Sequence, residues 1–92
     1  MHAFRRGTEA DYAERQPGVW HVVGVERYVA AICPLCRFVA VLCCLTRPEK
    51  ADHAIAEDGM VSPSVGCPNA PCAFHEYVRL DGWVPSDSGL TI

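Results

Sequence analysis

The sequence predicts a mainly β, antiparallel domain preceded by a polar N-terminal arm, and three observations predict it. Residues 19–45 are rich in β-branched and aromatic side chains, a Cys33-Pro-Leu-Cys36 knuckle separates two such runs, and a cysteine-proline loop at residues 67–72 leads into a further strand-like run. The division that follows is an arm at residues 1–18, a β domain at 19–84 and a tail at 85–92.

The arm is polar and closes at Gln16-Pro17-Gly18, a turn signal, with room for a short helix on residues 9–15. Val19-Trp-His-Val-Val-Gly-Val25 and Arg27-Tyr-Val-Ala-Ala-Ile32 have strand composition, and the second runs directly into Cys33. Arg37-Phe-Val-Ala-Val-Leu-Cys-Cys-Leu45 reads as the returning strand of a hairpin. Phe38, Ala40, Leu42 and Cys44 alternate with Val39, Val41 and Cys43, so both faces are apolar and a central position in the sheet is predicted.

Thr46-Arg-Pro-Glu-Lys50 breaks the pattern, and the stretch to Gly59 fits either a short helix or a hairpin arm turning at Asp58-Gly59. Met60-Val-Ser-Pro-Ser-Val-Gly66 follows. In Phe74-His-Glu-Tyr-Val-Arg-Leu80, the residues Phe74, Glu76, Val78 and Leu80 share one face and His75, Tyr77 and Arg79 the other, before a tight turn at Asp81-Gly82 into Trp83. The tail from Pro85 reads as loose.

The cysteines carry the chemistry. A two-residue gap lets both thiolates of a tight turn point at one ion, while backbone N–H groups of the turn face the sulfurs and lower their basicity. A single C-x-x-C is a weak signal. A second pair, Cys72-Ala-Phe-His75, completes a Cys3His set of Cys33, Cys36, Cys72 and His75, with Cys72 and His75 together at the entry to a strand. Cys67 is the alternative ligand, giving Cys33, Cys36, Cys67 and Cys72 with His75 left over. Zinc is the metal this donor chemistry implies, and the fold class becomes a small zinc-ribbon-like β domain. Cys43 and Cys44 read as small buried hydrophobes in a strand. His21 and His53 lack a nearby cysteine or carboxylate in sequence and read as ordinary histidines.

Composition narrows the function classes. The chain has 92 residues, 50% hydrophobic and 21% charged, which is globular. A chain of this size buries only about 60 to 70% of its unfolded surface, so a metal cross-link adds needed stability. The formal charge of −3 becomes about −4 with zinc on three thiolates and a neutral histidine, and the basic residues are scattered, which disfavours nucleic acid. The N-terminal residues lack the apolar segment of a signal peptide, so the reading is cytoplasmic, with reduced cysteines. Residues 29–45 approach the apolar length of a membrane span, but Arg37 at the centre, Pro34 and the knuckle cysteines argue for two buried strands instead.

No enzyme motif emerges. H-E-x-x-H is absent, the deaminase pattern lacks its glutamate at His53-Ala-Ile55, there is no Gly-rich phosphate loop, and four or five ligands saturate the candidate site. Glu76 beside His75 is the residue a catalytic reading would use as base.

The stretch Val61-Ser-Pro-Ser-Val-Gly-Cys-Pro-Asn-Ala-Pro-Cys-Ala-Phe-His-Glu-Tyr-Val-Arg-Leu-Asp-Gly-Trp83, with the upstream knuckle, resembles an uncharacterised family of small phage and bacterial proteins predicted to bind zinc. The matching positions are Cys33 and Cys36, Pro63-Ser64-Val65, Cys72 and His75, and Gly82, over about residues 30 to 84. This chain departs from the pattern in the extra Cys67 and in a knuckle without the usual glycine. The resemblance implies a zinc-stabilised β domain of phage origin and supplies no substrate or partner. The leading functional expectation is a non-enzymatic protein–protein interaction module, plausible for a phage protein that modulates a host factor, using Trp20, Tyr77, Arg79 or Trp83. The alternative is a nucleic-acid-binding zinc ribbon using Arg27, Arg37 and Arg79.

Overall fold

The computed structural model describes residues 1–47, 53–69 and 71–84. The fold is mainly β, with strands β1 (His2–Arg6), β2 (Val19–Val23), β3 (Tyr28–Ile32), β4 (Val39–Cys44), β5 (Ala54–Ile55), β6 (Met60–Gly66) and β7 (His75–Leu80), and one short helix, α1 (Glu9–Ala13). The strands lie in the order β4-β3-β2-β1-β7-β6-β5. The pairs β2–β3, β3–β4, β5–β6 and β6–β7 are antiparallel, whereas β1 runs parallel to both of its neighbours.

The N-terminal segment is therefore no arm. Its first residues pair with β7, His2 to Phe4 against Val78 to Leu80, and its last two pair with β2, Arg5 and Arg6 against Val19 and Trp20. One short strand thus joins two antiparallel halves. Its sequence hides this because only Phe4 is buried, among His2, Ala3, Arg5 and Arg6; a strand with one buried side chain carries almost no periodic signal. The parallel step to β2 needs a crossover, supplied by α1. Thr8 caps that helix by accepting from the Asp11 N–H at 3.1 Å, and the Asp11 carboxylate accepts in return from the Thr8 N–H at 3.0 Å.

The predicted strands β2, β3 and β7 form with ends shifted by a residue or two, and residues 60–66, not assigned from sequence, form β6. The run at residues 37–45 forms β4, but at the edge of the sheet and not at its centre. A register irregularity explains the misleading pattern. Val29 faces Cys43 and Ala30 faces Val41, which leaves Leu42 as an extra residue, so Leu42 and Cys43 both join the core while Val41 stays 54% exposed. Of the two readings of residues 46–59, the hairpin forms: β5 and β6 pair, Gly59 N–H donates to the Ala56 carbonyl at 2.9 Å, and the Asp58 carboxylate accepts from the Met60 N–H at 3.1 Å. Residues 48–52 and the tail from Pro85 lie outside the described residues. Residues 29–45 are β3, a turn and β4, and among the described residues no helix is long and apolar enough to cross a membrane.

The core lies between the two halves. Phe4, Trp20, Val29, Leu42, Val61, Val78, Leu80, Phe74 and Trp83 form one cluster with Cys33. Trp20 and Trp83 are in ring contact at 5.6 Å, and the buried Trp20 indole N–H donates to the Asp81 carbonyl at 2.8 Å, so it loses no hydrogen bond on burial. The Arg6 guanidinium covers the Trp20 ring at 4.7 Å.

Gly59 is the strictest backbone position. It has φ +91°, and a Cβ there would collide with the Leu80 carbonyl oxygen and crowd Trp83. Gly59→Ala is expected to destabilise the fold by about 2 to 4 kcal/mol through left-handed strain and overpacking. An unchanged denaturation midpoint would show that the β5–β6 turn does not seat against β7.

Candidate metal centre

Two hairpin connections build the site. The first joins β3 to β4, where the Cys33 N–H donates to the Phe38 carbonyl and the Arg37 N–H to the Cys33 carbonyl, both at 2.9 Å. Arg37 takes φ +65°, the left-handed residue that lets so tight a turn close. The second joins β6 to β7, where the Cys67 N–H donates to the Phe74 carbonyl at 2.9 Å and the Cys72 N–H to the Asn69 carbonyl at 2.7 Å. The two connections belong to opposite halves of the sheet, and they meet.

At the meeting point the sulfurs of Cys33, Cys36, Cys67 and Cys72 all lie within 4.8 Å of one another. Cys33 Sγ is 3.7 Å from Cys72 Sγ, and Cys36 Sγ is 3.5 Å from Cys67 Sγ. A tetrahedral ion with metal–sulfur bonds of about 2.3 Å would hold its sulfurs about 3.8 Å apart, so the spacing across the two connections fits such an ion closely. Cys33 is buried, Cys67 and Cys72 are partly buried, and Cys36 is exposed.

Backbone N–H groups face the sulfurs. The Leu35 N–H donates to Cys33 Sγ at 3.4 Å, and the N–H groups of Phe38, Asn69 and Phe74 favour the thiolate of Cys36, Cys67 and Cys72 in turn. Such bonds stabilise thiolate over thiol. The Asn69 side-chain amide, donating at 3.6 Å, and the Phe38 N–H hold Cys36 down at about 6. Cys67 is pushed up to about 12 by desolvation and by its neighbouring sulfurs, and Cys72 is also raised. Four sulfurs from two connections, converging within 4.8 Å, make a donor set that a cation can complete. The donor set therefore fits a metal ion held by four cysteines.

His75 is not among the converging atoms. It opposes Gly66 in the β6–β7 ladder, one residue after the buried Phe74, so strand alternation sends its ring to the outer face. There its Nε2 is 2.8 Å from Ser64 Oγ. The fourth sulfur of the group comes from Cys67. The Cys67–Phe74 hydrogen bond closes the loop before His75 and leaves Cys67 and Cys72 facing the first connection. Asn69, which sequence reasoning missed, is the polar neighbour of Cys36; its position between Pro68 and Pro71 in the cysteine loop was the available signal.

The remaining singled-out residues lie elsewhere. Cys43 and Cys44 are buried in β4, with burial holding the Cys43 thiol up at about 11 and the Cys44 thiol donating to the Glu26 carbonyl at 3.4 Å. His21 is 3.2 Å from the Gly7 carbonyl and His53 3.2 Å from the Ser64 carbonyl through one ring nitrogen each. Glu76 is exposed in β7, its carboxylate 4.0 Å from the Met1 amino group and from His2 Nδ1. Comparison with protein-family models, curated proteins and solved structures finds no match for this chain.

Exposure gives a direct expectation for the folded protein. Cys36, the exposed sulfur, should be the first of the six cysteines to react with iodoacetamide. Peptide mapping after brief labelling reads this, and preferential labelling of Cys67 or Cys43 would contradict it.

Proposed function

We propose that the protein is a zinc-binding module in which the metal is structural and the exposed surface around the first cysteine turn contacts another protein. The observation that carries the metal reading is the convergence of four sulfurs, each with its own backbone N–H, from connections in opposite halves of the sheet. Four protein ligands leave a tetrahedral ion no open position for water, which favours structure over catalysis. Zinc is the preferred ion because a tetrahedral set of thiolates suits it without redox change. The linkage is energetically ample: apparent binding of structural zinc is worth about 10 to 16 kcal/mol at neutral pH, comparable to the whole stability of a typical domain.

The surface supports an interaction role through residues other than the tryptophans singled out by sequence. Trp20 and Trp83 are buried in the core. Leu35 (67% exposed) and Phe38 (41%) project from the first cysteine turn beside Val41 on the edge strand. The turn is also cationic: the Arg37 guanidinium donates to the carbonyls of Arg15 and Glu14 and, among the described residues, to no carboxylate. Exposed aliphatic and aromatic side chains with an arginine, on a turn fixed by metal ligation, have the composition of a protein-binding surface. A small phage or bacterial binding protein fits this reading.

Protein purified without added metal should contain one zinc per chain, and chelation should abolish the cooperative melting transition. Cys67→Ala should lose the metal, while His75→Ala should keep it with stability changed by about 1 kcal/mol or less. Metal retention in Cys67→Ala, with loss in His75→Ala, would replace the four-cysteine site by a Cys3His site. Acidification should release the ion, because protons compete for the thiolates. Affinity capture with wild-type protein and with Leu35→Asp and Phe38→Asp tests the interaction role: a partner retained equally by all three, or nucleic acid recovered in a salt-sensitive manner, would overturn the proposed surface.

A further inference from the structure

The four sulfurs differ in access, and that difference has a chemical consequence. Cys36 is exposed, Cys33 is 3% exposed, and Cys67 and Cys72 are partly covered. Across the two connections, the Cys36 and Cys67 sulfurs are 3.5 Å apart and the Cys33 and Cys72 sulfurs 3.7 Å. An oxidant arriving from solvent meets Cys36 first, and a sulfur 3.5 Å away that can resolve the product, Cys67, lies in the other half of the sheet.

We propose that the metal centre is also an oxidation site, at which a peroxide converts Cys36 and Cys67 into a disulfide, releases the ion and leaves the two halves of the sheet still linked. This rests on the metal reading of the same four cysteines. The Cys36 sulfur attacks one peroxide oxygen and the O–O bond breaks, giving a sulfenic acid and hydroxide. The Cys67 thiolate then attacks the Cys36 sulfur, forming the S–S bond and expelling the second hydroxide. The two sulfurs lose two electrons in total, peroxide gains them, and with two protons it leaves as two waters. The divalent ion, deprived of half its ligands, dissociates.

Geometry favours this pairing over the other possibilities. A disulfide needs the sulfurs to close to about 2.05 Å, and an exposed side chain can rotate to do so without opening the core. Cys33 belongs to the buried cluster. Cys43 and Cys44, adjacent in β4, are covered by the core and by the Glu26–Thr46 contact, so they are shielded from the same oxidant. A Cys36–Cys67 bond also replaces the lost ion mechanically, since it ties the β3–β4 turn to the β6–β7 loop as the metal does. Oxidation and chelation thus have opposite consequences: both remove the ion, but only oxidation preserves the link.

The test treats zinc-loaded protein with hydrogen peroxide after its metal content has been measured. A zinc-sensitive dye, thiol counting, tryptic mapping and thermal melting are followed together. Cleavage at Arg27, Arg37, Lys50 and Arg79 places Cys33 with Cys36, Cys43 with Cys44, and Cys67 with Cys72 in three separate peptides, so fragment ions of a cross-linked pair identify the partners. The expected result is zinc release in step with the loss of two thiols, a Cys36–Cys67 cross-link, and a melting transition that survives metal loss but disappears when reductant and chelator are added together. A dominant Cys33–Cys72 or Cys43–Cys44 bond, or zinc release without a disulfide, would overturn the proposal. Protein that holds no zinc before peroxide overturns the metal reading instead, and its disulfide map still decides the pairing.

Discussion

Four sulfurs held within 4.8 Å of one another can all carry charge only with a cation among them, and everything distinctive about this chain is arranged around that constraint. Like charges at such separations repel by several kcal/mol even at the effective dielectric of a protein surface. The backbone nevertheless aims an N–H at each sulfur, which is the arrangement thiolates require and thiols do not. Turn geometry, loop length and strand ends are all consistent with a bound ion.

The topology explains why such a staple matters. Among the described residues, the two antiparallel halves, β2–β3–β4 and β5–β6–β7, meet in strand pairing only at β1, and β1 divides its few residues between them. Backbone pairing at that junction is therefore thin, and the halves are otherwise held by side-chain packing of Phe4, Trp20, Val78 and Trp83. A cross-link between the β3–β4 turn and the β6–β7 loop closes the end of the core at which Cys33 and Phe74 are buried. A bound ion and the tryptophan packing would then brace the same core from different sides.

Much of this was legible in the sequence because it depends on local chemistry. Strand composition placed β2, β3 and β7, the C-x-x-C spacing marked the first turn, and alternation put Val78 and Leu80 on one face, the one that is buried. What escaped depended on tertiary context. β1 carries one inward residue and gains its partners from both halves of the chain, so no window of sequence could show it. β4 looks central until the extra residue at Leu42 breaks its alternation. At the site, both Cys67 and His75 were visible as ligands; the decision turns on where the β6–β7 ladder begins. Because His75 already belongs to the ladder, its ring faces outward to Ser64 and Cys67 faces the other three sulfurs.

The most direct test of the four-sulfur centre is the zinc K-edge X-ray absorption spectrum of the metal-loaded protein, which reports the ligand atoms themselves. A single shell of four sulfurs at about 2.3 Å is expected, whereas a nitrogen at about 2.0 to 2.1 Å beside three sulfurs would contradict it and return His75 to the site.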